Sequence, residues 1–208
     1  MNIKLWVFVL INILVNFNVF ANNAPNKLLD CTATRQHRSN YEPEEFPTSN
    51  NLLRSSNEIP KYQGEKLIII GKLLDSNCVP ISDSQIFIWQ PGNDGKYHYK
   101  PLRNVYKEEE LNLNDDYTFV GAGKTITNNK GEFYFVSLYP ASFKGIKPHI
   151  NIRVKDSNLG TFNYRHYTSK QSPEDRPVKF NTPNYSGSNS VVNEVKIVIP
   201  KVNNMKTF

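Results

Sequence analysis

Short segments with the period of a β-strand constrain most strongly what this chain can fold into. Because side chains alternate between the two faces of a strand, such segments bury one face and leave the other more polar. Five segments are rich in Ile, Val, Phe and Tyr and end at Pro, Gly, Asn or Asp: KLIIIGKLLD (66–75), QIFIWQ (85–90), GEFYFVSL (131–138), HINIRV (149–154) and EVKIVIP (194–200). No comparably long segment repeats apolar residues at helical spacing. The pattern predicts an all-β fold, an immunoglobulin-like antiparallel β-sandwich with long loops.

The first residues predict export. Lys4 precedes a mostly apolar run that ends in a small residue, Ala21, so we interpret residues 1–21 as a signal peptide. The alternative is an uncleaved anchor, but three asparagines interrupt the run and no second apolar stretch of spanning length follows. We therefore expect an exported protein, periplasmic or secreted, with no stable membrane span after cleavage.

The chain has two cysteines, Cys31 and Cys78, and both follow the predicted cleavage point. In an oxidising compartment two such cysteines are expected to pair, whereas the alternative is two separate buried thiols. We predict a Cys31–Cys78 disulfide.

The net charge of +6 raises the question of an anionic partner such as nucleic acid. The lysines and arginines are scattered, however, and the longest charge run, Lys107-Glu108-Glu109-Glu110, is mainly acidic. We interpret the charge as the basic surface of an exported protein and expect no nucleic-acid role.

After the signal peptide we divide the chain into an extended N-terminal arm of residues 22–62, a sandwich domain of residues 63–200 and a tail of residues 201–208. The arm is polar and rich in turn residues. Leu52 and Leu53 are the apolar residues that can attach it to the sandwich.

Three stretches, read in order, resemble the core of the intradiol ring-cleavage dioxygenases, the catechol and protocatechuate dioxygenase family. They are GKLLDSNCVPISDSQIFIWQPGNDGKYHY (71–99), FVGAGKTITNNKGEFYFVSLYPASF (119–143), and KPHINIRV (147–154) with the following TFNYRHYTS. The resemblance implies a sandwich that holds a non-haem ferric ion through two tyrosinates and two histidines. It also implies a small, catechol-type aromatic ligand, which dioxygen cleaves between its two hydroxyls. Family members often associate, so an oligomer is compatible with it.

The chain departs from the family pattern at the iron ligands. Where the family has Arg-Pro-Pro/Ala-His-x-His, residues 146–151 read IKPHIN. His149 then matches the first histidine ligand, Asn151 takes the place of the second, and Ile146 takes the place of the arginine. The Pro-Gly-x-Tyr motif that supplies one tyrosinate ends here at Phe143, which has no hydroxyl.

The other tyrosinate would come from a long excursion between strands, where Tyr106 is the closest candidate and Tyr99 the alternative. Two of four ligands then remain, and the loss of a tyrosinate removes anionic charge that favours Fe(III). The cofactor is therefore Fe(III) or none, and we expect a binding or structural module with lost or altered catalysis. The alternative is an active dioxygenase in which Tyr139 or His166 joins Tyr106 and His149.

Overall fold

The computed structural model describes residues 31–55, 57–103, 107–113, 117–170 and 190–201. Within these ranges the chain forms seven strands and one short 3-10 turn, Glu108–Glu110. The strands are β1 (Lys66–Leu74), β2 (Gln85–Trp89), β3 (Ala122–Ile126), β4 (Glu132–Leu138), β5 (His149–Asp156), β6 (Gly160–Tyr167) and β7 (Ser190–Val198).

The strands form two sheets, one in the order β4-β1-β7 and the other in the order β3-β2-β5-β6. All neighbouring strands are antiparallel except β1 and β7, which are parallel. Buried side chains from both sheets form one core, among them Leu67 and Ile69 of β1 and Ile150 and Ile152 of β5. The predicted all-β sandwich is confirmed.

Strands β3 and β6 were not predicted from the sequence. Strand β3 reads AGKTI, which has one apolar residue larger than alanine, and β6 reads GTFNYRHY, in which polar residues dominate. Both pair with a neighbouring strand along their length, β3 with β2 and β6 with β5. Pairing therefore overrides a weak local preference.

The arm is attached along the part of it that the structure describes. The predicted disulfide joins Cys31 to Cys78 with a Cα–Cα distance of 5.5 Å. Further along, the amide of His37 donates to the carbonyl of Asn163 in β6 at 2.8 Å. Leu52 and Leu53 are buried in the core, as predicted.

Three expectations fall on residues that the structure does not describe. The signal peptide predicted over residues 1–21, the candidate ligand Tyr106 and the tail of residues 201–208, apart from residue 201, lie outside the described ranges. Within those ranges, no helix has the length and hydropathy of a membrane span.

Candidate functional site

Strand β5 separates an apolar face from a polar one. Ile150, Ile152 and Val154 point into the core between the sheets. His149, Asn151 and Arg153 share the opposite face, which we call the outer face of the four-stranded sheet. In register across β6, they pair with Tyr167, Arg165 and Asn163. These positions of the outer face are not exposed to solvent, since His149 is 1% exposed and Asn151 is fully buried.

His149 is oriented by the backbone just before it. Its Nδ1 lies 2.9 Å from the carbonyl oxygen of Lys147. Because a carbonyl only accepts, Nδ1 carries the proton, and Nε2 keeps a lone pair that can accept a hydrogen bond or bind a cation. Burial lowers the pKa of His149, since desolvation disfavours the imidazolium. The side chain is therefore a neutral imidazole of the kind that ligates metals.

Asn151 bridges the neighbouring strands through its amide. Its Nδ2 donates to the carbonyl oxygen of Trp89 in β2 at 3.4 Å, and its Oδ1 accepts from Nε of Arg165 in β6 at 3.4 Å. An amide oxygen is a neutral, weak metal donor, and this one faces a guanidinium. A cation at Oδ1 would have to displace Arg165.

The ring of Phe143 lies in an aromatic cluster with Tyr41 and Tyr97. Tyr41 stacks on Tyr97 with nearly parallel rings whose centroids are 4.6 Å apart. The ring of Phe143 makes T-shaped contacts with Tyr41 and Tyr97, at centroid distances of 4.9 and 5.1 Å. All three rings are buried. Phe143 sits in a tight turn in which its amide and that of Ile146 donate to each other's carbonyl at 3.0 and 2.8 Å.

A polar triad closes one side of the aromatic cluster. The hydroxyl of Tyr41 donates to Oε2 of Glu110 at 2.7 Å and accepts from Nζ of Lys144 at 3.0 Å, while Lys144 also forms an ion pair with Glu110. The hydrogen bonds from Lys144 and Tyr41 lower the pKa of Glu110. The hydrogen bonds that Lys144 donates to Glu110 and to the Tyr41 hydroxyl raise the pKa of Lys144, and burial together with Glu110 raises the pKa of Tyr41. The Tyr41 hydroxyl is thus held protonated by a carboxylate.

Arg153 connects the arm to the outer face. Both of its terminal nitrogens donate to the carboxylate of Glu42, and its Nε donates to Oδ1 of Asn163 at 2.9 Å. The guanidinium also lies 5.5 Å from the ring centre of Trp89. Trp89 in turn donates through Nε1 to the carbonyl oxygen of Asn40 at 2.8 Å.

The residues expected to complete a rearranged ligand set lie elsewhere. His166 pairs in register with Ile150, on the core side of β6, and its Nε2 is 3.3 Å from Oδ1 of Asn193. Tyr139 packs against the core between the sheets and donates to the carbonyl oxygen of Thr168 at 3.3 Å. Alternation along β5 and β6 puts His149 on the outer face and His166 on the core side of the sheet. The interpretation that Tyr139 or His166 joins His149 stays a prediction.

Sequence reasoning missed Tyr41, Glu110 and Lys144, and it gave Tyr97 no role in the site. Tyr97 had a signal, because it lies in the first of the three stretches that carry the family resemblance, residues 71–99. Tyr41 had none, since it lies in a polar arm with no periodicity. Ile146, at the position of the family's arginine, forms a backbone bridge with Phe143 in this turn.

Comparison with known proteins agrees with this geometry. A family model described as "Dioxygenase" matches residues 39–165. A Rickettsia typhi protein carried under the name "Putative dioxygenase" is 42% identical over 161 residues, which cover 76% of this chain and 77% of that protein. The chain belongs to the intradiol ring-cleavage dioxygenase family. The part matched by the family model includes the outer face and the aromatic cluster.

Solved structures of intradiol dioxygenases share the fold. The intradiol ring-cleavage dioxygenase from Tetranychus urticae superposes with a TM-score of 0.56 at 19% identity, covering 83% of this chain and 96% of that one. The 3-chlorocatechol 1,2-dioxygenase from Rhodococcus opacus 1CP gives 0.52 at 16% identity, covering 83% and 75%. At these identities the likeness concerns the fold alone.

The side chains at the expected ligand positions do not fit the donor set that the family resemblance implies. Phe143 offers no oxygen, and the Asn151 amide is engaged by Trp89 and Arg165. His149 alone presents a free donor atom of the expected type among these three. Within the described part of the chain, no group of three or more His, Cys, Asp or Glu side chains is close enough together to hold a metal ion.

Proposed function

We propose that this protein is an exported intradiol-dioxygenase-like scaffold that does not assemble the conventional four-ligand ferric site and does not perform normal ring cleavage. One observation supports this above all. The position matching a tyrosinate ligand is the phenyl ring of Phe143, packed edge-on against Tyr41 and Tyr97.

The conventional ferric site is lost through the chemistry of its side chains rather than through their geometry. Fe(III) is a hard, highly charged ion that anionic oxygen ligands favour. Phe143 removes one such oxygen, and Asn151 replaces an imidazole by an amide that already bridges β2 and β6. The fold does not need the metal, because the aromatic cluster and the Tyr41–Glu110–Lys144 triad fill this region with protein contacts.

Export is supported by the signal-like first residues and by the Cys31–Cys78 disulfide, since disulfides persist in oxidising compartments. In such a compartment the sandwich would act by binding. A small aromatic molecule of the catechol type is the ligand class that the family resemblance suggests.

The alternative function is an active Fe(III) dioxygenase with a rearranged ligand set. It is favoured by one observation, the orientation of His149, whose Nε2 is left free by the bond from Nδ1 to Lys147. Tyr106 and Tyr97, which contacts Phe143, are the tyrosines that could join it, and the name of the Rickettsia typhi relative agrees with this function.

Elemental analysis of the protein exported to an oxidising compartment, together with its visible spectrum, separates the two functions. We expect folded, colourless protein without stoichiometric iron, unchanged by added Fe(III), and no turnover of catechol. Near-stoichiometric iron with a broad visible band that disappears in His149→Ala would instead establish the alternative. Tyr97→Phe and Tyr106→Phe would then show which tyrosinate contributes to the band.

A further inference from the structure

A cavity of about 200 Å³ lies where the arm crosses the outer face. Arm residues 38–42 form one wall and residues 102–103 form another, while Arg153 of β5 and Asn163 of β6 line it from the sheet. At about 30 Å³ for each water in the liquid, this volume corresponds to roughly seven waters. That is enough for a small ligand and too little for a large one.

The lining of the cavity carries an excess of positive charge. Three arginines, Arg38, Arg103 and Arg153, face a single acid, Glu42. Glu42 is already paired with both terminal nitrogens of Arg153, so this pair is close to neutral. No ion pair joins Arg38 or Arg103 to an acid in the part of the chain that the structure describes. Two guanidinium groups therefore line the cavity without a compensating carboxylate.

We propose that this cavity binds a small oxyanion, a phosphate or a carboxylate group, held by Arg38 and Arg103. Guanidinium groups match these anions because their planar array of N–H groups can donate two parallel hydrogen bonds. Arg153 is fixed by Glu42 and Asn163 and forms the rigid side of the site. The proposal does not depend on iron or on ring cleavage.

Calorimetric titration of the full disulfide-bonded chain with inorganic phosphate, and separately with succinate, tests the proposal. We expect saturable binding of at least one anion, weakened by added NaCl because salt screens charge. The tighter of the two identifies the chemical source of the oxyanion. Replacing one charged donor by Arg103→Gln or Arg38→Gln should weaken binding about tenfold, as expected for a charge-assisted hydrogen bond.

Arg35→Gln makes the test specific. Arg35 lies on the same arm but does not line the cavity, so Arg35→Gln removes the same charge and should change the affinity less than twofold. No saturable binding of either anion, or an equal loss in Arg35→Gln and Arg103→Gln, would overturn the proposal. Neither result of the anion titration bears on the iron content of the protein, so the two proposals are tested separately.

Discussion

Tyr41 and Glu110 lie 69 positions apart in the sequence and are joined by a buried hydrogen bond of 2.7 Å. Lys144 contacts both, so the bond connects the arm, the 3-10 turn and the turn after Phe143. The aromatic cluster is thereby closed by protein groups rather than by a ligand.

Tyr41→Phe removes this hydroxyl and keeps the stacked ring. A hydrogen bond to a charged group contributes about 1.5–3 kcal/mol, and Glu110 keeps its ion pair with Lys144, so we expect a loss of about 1–2 kcal/mol in the free energy of unfolding. Urea denaturation measures it. Tyr134→Phe is the control, because Tyr134 is 50% exposed, and it should change stability by less than about 0.5 kcal/mol. Equal losses in both variants would show that the hydrogen bonds of the Tyr41 hydroxyl do not stabilise the fold.

Phe143→Tyr combined with Asn151→His restores the two donors that the family resemblance implies. We expect the double variant to take up Fe(III) and to show a visible tyrosinate-to-iron band, while each single variant does not. Stability should fall by about 1–3 kcal/mol because both substitutions add atoms to buried positions. A colourless, folded double variant would mean that these two side chains are not what prevents iron binding.

The sequence predicted β5 correctly for a physical reason. Ile150, Ile152 and Val154 alternate with polar residues, and a strand with one face in the core must show this pattern. The sequence did not predict β6, because its residues that pair with the outer face, such as Asn163 and Arg165, are polar. They are polar although that face is covered.

The candidate site was predicted only in part for a related reason. His149, Asn151 and Phe143 lie in motifs that a family resemblance can place. Tyr41 and Lys144, in contrast, meet across 103 positions, and no local pattern specifies such a contact. The closure of the aromatic cluster by the arm, through contacts between residues distant in sequence, is therefore seen only in the structure.

Stability should fall as the pH is lowered from 7.5 to 5.5. Burial lowers the pKa of both His149 and His166 in the folded protein, so over this range the unfolded chain binds more protons than the folded one. The loss is absent well above the ordinary histidine pKa of about 6.5 and grows as the pH falls through it. Lowered carboxylate pKa values, such as that of Glu110, act at lower pH.

His149→Asn and His166→Gln test this assignment, because each keeps a side-chain N–H donor and neither new residue titrates. Each should reduce the slope of unfolding free energy against pH, and the double variant should remove most of it. Urea denaturation at several pH values gives the slopes. A slope unchanged in the double variant would place the pH sensitivity in other groups.

The Cys31–Cys78 disulfide closes a loop with a sequence separation of 47. In the chain-entropy model a loop of this length stabilises the folded state by about 4 kcal/mol. Replacing both cysteines by serine should lower the unfolding free energy by roughly this amount in guanidinium titrations. Reductant should produce the same loss in the native sequence and none in the variant. A loss below about 1 kcal/mol would contradict the chain-entropy expectation and would point to residual structure that already restricts the unfolded chain.

Gly123→Ala tests whether the arm docks on β3 by close packing. A Cβ at this position would lie 2.3 Å from the carbonyl oxygen of Ser49 and 3.1 Å from the side chain of Leu52, so the arm must move. We expect a loss of about 1–3 kcal/mol in stability and faster amide hydrogen exchange at Leu52, whose N–H donates to Val136 at 2.8 Å.

Gly145→Ala is the matched control for this substitution. A Cβ at Gly145 meets nothing within 4 Å, but the residue has φ of +76°, so alanine costs about 1–2 kcal/mol in backbone strain alone. The two variants can therefore lose similar stability for different reasons, and hydrogen exchange separates them. Exchange at Leu52 should accelerate beyond the global change only in Gly123→Ala, because only that Cβ displaces the arm from the sheet. Equal exchange in both variants would mean that the arm stays bound to β4 when its contact with β3 is lost.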